Sequence, residues 1–106
     1  MSDSTTCHDL GGLDAIPLGE ARVMAVGGRS VAVFRCRSGE VYATDAECPH
    51  RGGPLADGLV GDHSVICPLH GYVFDLRTGE APGRDCPRLV THRVSAQGTD
   101  LSLELA

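Results

Sequence analysis

Two thiols and two imidazoles recur in one order along the chain: Cys48-Pro49-His50, then sixteen residues, then Cys67-Pro68-Leu69-His70. A thiolate is a soft anionic ligand and an imidazole a neutral borderline one, so Cys48, His50, Cys67 and His70 can close on one inorganic centre from two loops. Proline after each cysteine fixes φ and carries no N–H, which stiffens each loop and leaves the amides further along free to point at sulfur. Gly52, Gly53 and Gly71 follow the histidines, where backbone passing close to a centre has no room for a Cβ. Two centres use this donor set: a tetrahedral zinc, or a [2Fe-2S] cluster in which two histidines replace two cysteines on one iron. Structural zinc sites space paired ligands by about two to four residues. The single spacer between Cys48 and His50 strains two ligands aimed at one metal and suits ligands going to two different irons, which favours the cluster. The plain alternative is two packing cysteines and two turn histidines that share this spacing by chance.

The other residues of the same types read differently. Cys7, Cys36 and Cys86 are expected to be small packing residues or incidental thiols, although Cys86-Pro87 repeats the Cys-Pro pair without a histidine close behind it. Cys7 and His8 are adjacent, so strand alternation would send them to opposite faces. His63 follows the turn signal Gly61-Asp62, and His92 lies in a strand as a hydrogen-bonded or edge histidine. Phe34, Tyr42 and Phe74 alternate with small or polar residues as core strand positions do. Arg51 and Leu69, beside the ligands, are candidates for a rim that a partner touches.

The elements that must hold two such loops are short strands. Fourteen glycines, six prolines and no tryptophan speak against long helices and for tight turns, so the chain reads as all-β. Residues 21–26 (ARVMAV) and 29–36 (RSVAVFRC) are separated only by Gly27-Gly28, which predicts a two-residue hairpin. Ser38-Gly39 turns the chain into VYATDA, after which Cys48 opens a loop rich in Pro and Gly. Residues 63–67 (HSVIC) and 72–76 (YVFDL) are expected as strands leading into and out of the second pair, with Thr78-Gly79 turning next. RLVTHRV and LSLEL flank Gln97-Gly98 as a last hairpin, where Leu101, Leu103 and Leu105 alternate with polar residues. Helical alternatives are weak, and the best of them, PLADGL, is interrupted by Gly58.

Cys48-Pro49-His50 with RGGPLADGLVGD, and Cys67-Pro68-Leu69-His70-Gly71 with YVFDLRTGEA, resemble the two cluster loops of Rieske proteins. The likeness extends to VAVFR, GEVYATDAECPHRGGPL and VTHRV…LSLEL, so that from about residue 10 onward the chain is similar to the small Rieske ferredoxins. The resemblance implies stacked small antiparallel β-sheets with an inserted two-loop cluster-binding subdomain, here about residues 46–83 of a single domain spanning 1–106. It implies one Rieske-type [2Fe-2S] cluster per chain, with Cys48 and Cys67 on one iron and His50 and His70 on the other. In the respiratory branch of the family each loop carries a further cysteine, and the two form a disulfide. Arg51, Gly52 and Gly53 after the first pair, and Gly71 and Tyr72 after the second, leave no place for it, which resembles the soluble ferredoxin branch. Replacing two thiolates by imidazoles raises the potential into a range of roughly -150 to +300 mV. Without the disulfide, and with no hydroxyl residue beside either cysteine, the lower end of that range is expected.

The rest of the chain narrows the partners. At 106 residues there is room for one domain. A net charge of -5 with no run of like charges argues against nucleic acid or an anionic membrane and for a basic protein partner. The first residues lack a basic flank followed by an apolar stretch, and no apolar run is long enough to span a bilayer, so a cytoplasmic location is expected. The resemblance then implies an electron carrier, not catalytic alone, that takes one electron from a reductase and gives it to a terminal oxygenase of the aromatic-ring dioxygenase type. Two other readings stay open: the small subunit of an NAD(P)H-dependent nitrite reductase, with the large subunit as partner, and a structural zinc module.

Overall fold

A computed structural model describes residues 7–47, 54–68, 71–83 and 86–105. It contains nine strands: β1 (Cys7–Gly12), β2 (Glu20–Val26), β3 (Arg29–Arg35), β4 (Val41–Asp45), β5 (Leu59–Val60), β6 (Ser64–Ile66), β7 (Val73–Asp75), β8 (Thr91–Gln97) and β9 (Asp100–Glu104). They form a six-stranded sheet in the order β1-β9-β8-β4-β3-β2 and a three-stranded sheet in the order β5-β6-β7, with every described pairing antiparallel. The only helical elements among the described residues are two short 3-10 turns, Leu13–Ala15 and Leu55–Asp57. The all-β expectation is met.

The apolar run of β3 is buried on both faces, and its alternation sorts two cores. Val31 and Val33 join Ile16, Val26, Ala43, Leu101 and Leu103 on one face. Ala32, Phe34 and the following Cys36 join Leu55, Val65, Cys67, Phe74, Leu76 and Leu89 on the other. The second face therefore carries the three-stranded sheet, whose Val65 and Phe74 point inward as a cross-strand pair. The small sheet is also pinned at its turn, where Arg37 N donates to Gly61 O at 3.1 Å and Ser38 Oγ to Asp62 O at 2.8 Å.

The hairpin at Gly27-Gly28 is as expected, with φ of 57° and 81° at the two residues and Val26 opposite Arg29. Positive φ at both positions matches the right-handed twist of the flanking strands, and glycine adopts it without steric cost. The turns at Gly39 and Gly79 also lie where expected, and His63 sits half-buried in a bend. Two boundaries differ. The strand expected from Arg88 starts at Thr91, because Pro87 has no amide to give and Leu89 N instead bonds Gly79 O at 2.8 Å. The last hairpin turns at Gly98-Thr99, one residue later than expected, with Gln97 paired to Asp100. PLADGL forms a single 3-10 turn, ended where Gly58 N donates to Leu55 O at 2.9 Å.

Candidate metal centre

Both segments expected to carry ligands leave from closed necks. The first leaves β4, and the isolated bridge between Glu47 and Pro54, with Leu55 N donating to Ala46 O at 3.1 Å, brings its two ends together. The second leaves β6, and its ends are joined by Cys67 N donating to Tyr72 O at 2.8 Å and Gly71 N to Cys67 O at 2.9 Å. Gly71 has a φ of 71°, so a side chain there would be strained.

The two necks lie side by side because the chain is short between them. From Pro54 it runs through one 3-10 turn and Gly58 into β5, which pairs at once with β6, setting Leu59 opposite Ile66. Ile66 is the residue before Cys67. A Cβ on Gly58 would fall on the Ile66 carbonyl oxygen, so the end of the first loop packs directly onto the strand that begins the second. Leu55 and Cys67, one from each neck, are fully buried in the same core.

Of the four expected ligands, the structure describes Cys67. The residue is 1% exposed, at the neck of the second loop. Cys48, His50 and His70 lie outside the described residues, as do Arg51, Gly52, Gly53 and Leu69. A buried thiolate is costly unless a metal or cation compensates its charge, and a sulfur held at a loop neck beside a second loop fits an iron ligand. Cys67 fits the cluster as one of its sulfur donors.

Cys36 and Cys86 behave as packing groups. Cys36 is fully buried, and burial first, then the charges of Glu40 and Asp62, push its pKa up to about 11. Cys86 is half-buried against the same core, beside a shallow cavity lined by Glu80, Ala81, Pro82 and Arg88. Phe34 and Phe74 are core residues, whereas Tyr42 is half-buried and donates its hydroxyl to Glu40 Oε1 at 3.0 Å. That hydrogen bond to a carboxylate, after burial, raises the Tyr42 pKa. In the turn after β7 the Asp75 carboxyl is held below its ordinary range by hydrogen bonds from Arg77, at 2.9 Å from Nη2 and 3.1 Å from Nε.

One group at the site was only half legible in the sequence. His92, expected to be a hydrogen-bonded or edge histidine, places Nε2 2.9 Å from Asp45 Oδ1, and Arg29 Nη2 donates to the same oxygen at 2.9 Å. Asp45 ends β4 and so stands at the root of the first loop. The strand register that joins these three residues cannot be read from their spacing.

Residues 7–93 match the Rieske [2Fe-2S] domain family. The ferredoxin component of the naphthalene 1,2-dioxygenase system of Pseudomonas aeruginosa is 32% identical over 92 residues, covering 86% of this chain and 88% of that one. The chain spans 65% of a Ralstonia ferredoxin component and only 13% of the cholesterol 7-desaturase of Hemicentrotus pulcherrimus, which it matches in part. Among solved structures, the ferredoxin of carbazole 1,9a-dioxygenase from Nocardioides aromaticivorans has a TM-score of 0.82 at 27% identity, covering 93% of this chain and 99% of that one. A ferredoxin in complex with the oxygenase of carbazole 1,9a-dioxygenase gives 0.78 at 25% identity, covering 92% and 91%. A Mycobacterium tuberculosis protein described as an NADH-dependent nitrite reductase small subunit gives 0.87 at 20% identity, covering 98% of each chain, a likeness of fold. The match over residues 7–93 decides between the two centres in favour of the [2Fe-2S] cluster: this chain belongs to the Rieske [2Fe-2S] domain family.

Proposed function

We propose that this chain is an electron carrier that accepts single electrons from a reductase and delivers them to a terminal oxygenase of the aromatic-ring dioxygenase type. The observation that carries this reading is the pair of closed necks packed side by side, from which the segments holding the four expected ligands leave. Its likeness along most of its length to ferredoxin components of dioxygenase systems supports the same role. Cys48 and Cys67 would hold one iron through sulfur, and His50 and His70 the other through ring nitrogen. Residues 46–83 form the cluster-binding part of a single domain. When bound, the cluster takes up and releases one electron at a time.

The chain's own contribution is positional and electrostatic. The Cys67 neck keeps one sulfur out of water, a proline after each cysteine restricts its loop, and His50 and His70 would offer ring nitrogens to the second iron. Arg51 and Leu69, next to the ligands in sequence, are the candidates for the rim that a partner touches. Docking is small and transient, so two partners use the tip in turn. The location is cytoplasmic, where thiols stay reduced.

A second reading, the small subunit of an NAD(P)H-dependent nitrite reductase, keeps its place because that fold superposes over nearly the whole chain. Purification under native conditions separates the two. The carrier reading predicts a freely exchanging protein that restores turnover to a mixture of reductase and terminal oxygenase. A stoichiometric complex with a large reductase chain, and no restored oxygenase turnover, would replace it with the second reading.

A further inference from the structure

We infer that Arg29, Asp45 and His92 form an anchor that positions the first ligand loop, so that this triad tunes the metal centre. The inference rests on the ligand assignment of Cys48 and His50 given above. Asp45 is the last residue of β4 and stands three residues before Cys48. Its Oδ1 receives Arg29 Nη2 from β3 on one side and faces His92 Nε2 of β8 on the other, both at 2.9 Å. The register explains why all three meet: Val31 lies opposite Asp45, and Ala43 opposite His92, so the side chains share one face, the face of the core built on Val31, Val33 and Ala43.

The burial is uneven in a way that suits an anchor. The His92 side chain is 0% exposed, while Arg29 and Asp45 are 37% and 35% exposed, so the imidazole is a fixed wall and the carboxylate is clamped against it. Backbone bonds tie the end of β4 to both neighbouring strands, and the Glu47–Pro54 bridge closes the neck just beyond it. Asp45 N donates to Val90 O at 2.9 Å and Ala46 N to Ser30 O at 3.1 Å, and then the chain leaves for the loop. The clamp on Asp45 ties the loop root to both neighbouring strands. Residues that orient a ligand without touching the metal typically change metal retention by about 10- to 100-fold when removed.

The test uses the full-length holoprotein and its Asp45→Ala, Asp45→Asn and His92→Gln variants. Iron retention under a chelator, the paramagnetic spectrum of the reduced protein and its potential are measured beside the thermal midpoint. Asp45→Ala is expected to lose iron about tenfold faster and to shift the spectrum. Asp45→Asn keeps an oxygen acceptor at the same place and should recover most of the wild-type behaviour. Wild-type spectrum, potential and iron retention in Asp45→Ala, even with a lowered thermal midpoint, would reduce the triad to a strand tie and overturn the inference. If Asp45→Ala does not fold, His92→Gln decides: a shifted spectrum supports the anchor, and an unchanged one overturns it. Cys48→Ser separates this from the ligand reading, because a wild-type cluster in that variant would remove the assignment on which the anchor rests, whatever the triad does.

Discussion

Cys36 and Cys67 are two buried thiols in one core, and they stand at different places in the fold. Cys67 closes a loop neck beside a second loop, whereas Cys36 follows β3 with Glu40 and Asp62 as its charged neighbours. Burial first, then those two carboxylates, raise the Cys36 pKa from 9.0 to about 11, so it stays a neutral packing group. Because the folded value lies above the unfolded one, the stabilisation is whole below pH 9.0 and is lost as pH climbs through about 11. The stability gap between wild type and Cys36→Ala, from urea unfolding, should therefore narrow by about 2–3 kcal/mol between neutral and strongly alkaline pH. A gap constant over that range would contradict it. At the ligands, His50→Cys adds thiolate charge and should lower the reduction potential; an unchanged value in a potentiometric titration would contradict the ligation assigned to His50.

The elements that carry the loops were legible where local chemistry specified them. Gly27-Gly28 requires positive φ at both positions, and VAVF has the apolar continuity of a strand buried on both faces, so β2 and β3 could be drawn from residues alone. Strands β1 and β5 were not drawn. β5 is two residues long, and only its pairing with β6 makes Leu59–Val60 a strand. β1 contains Gly11 and Gly12 and owes its place to pairing with β9 at the far end of the sequence. The contact that sets the two loops side by side is equally silent in sequence. Gly58 has an extended φ of -80°, so glycine is needed there for space against the Ile66 carbonyl. Gly58→Ala should cost about 1–3 kcal/mol and push the loops apart. Thermal unfolding and iron content should fall together, and a variant with wild-type values of both would show that the contact gives way freely.

At the scale of the molecule, β3 lies between two cores and fixes the small sheet to the large one. The fold class and the kind of centre were readable because each follows from the types and spacing of neighbouring residues. The Arg29, Asp45 and His92 cluster was not, because it joins three strands whose alignment only the folded sheet supplies. No helix among the described residues is long and apolar enough to cross a membrane. A formal charge of -5 makes association with a basic partner electrostatically steered. Stopped-flow electron transfer to such an oxygenase should slow severalfold as salt rises to about 0.15 M, where screening acts over about 8 Å; a salt-independent rate would exclude steering. The most direct test of the whole account is iron, zinc and acid-labile sulfide per chain in anaerobically prepared protein. About two irons and two sulfides, with a paramagnetic signal that appears on reduction, are predicted; a colourless protein holding zinc, or neither iron nor sulfide, would contradict it.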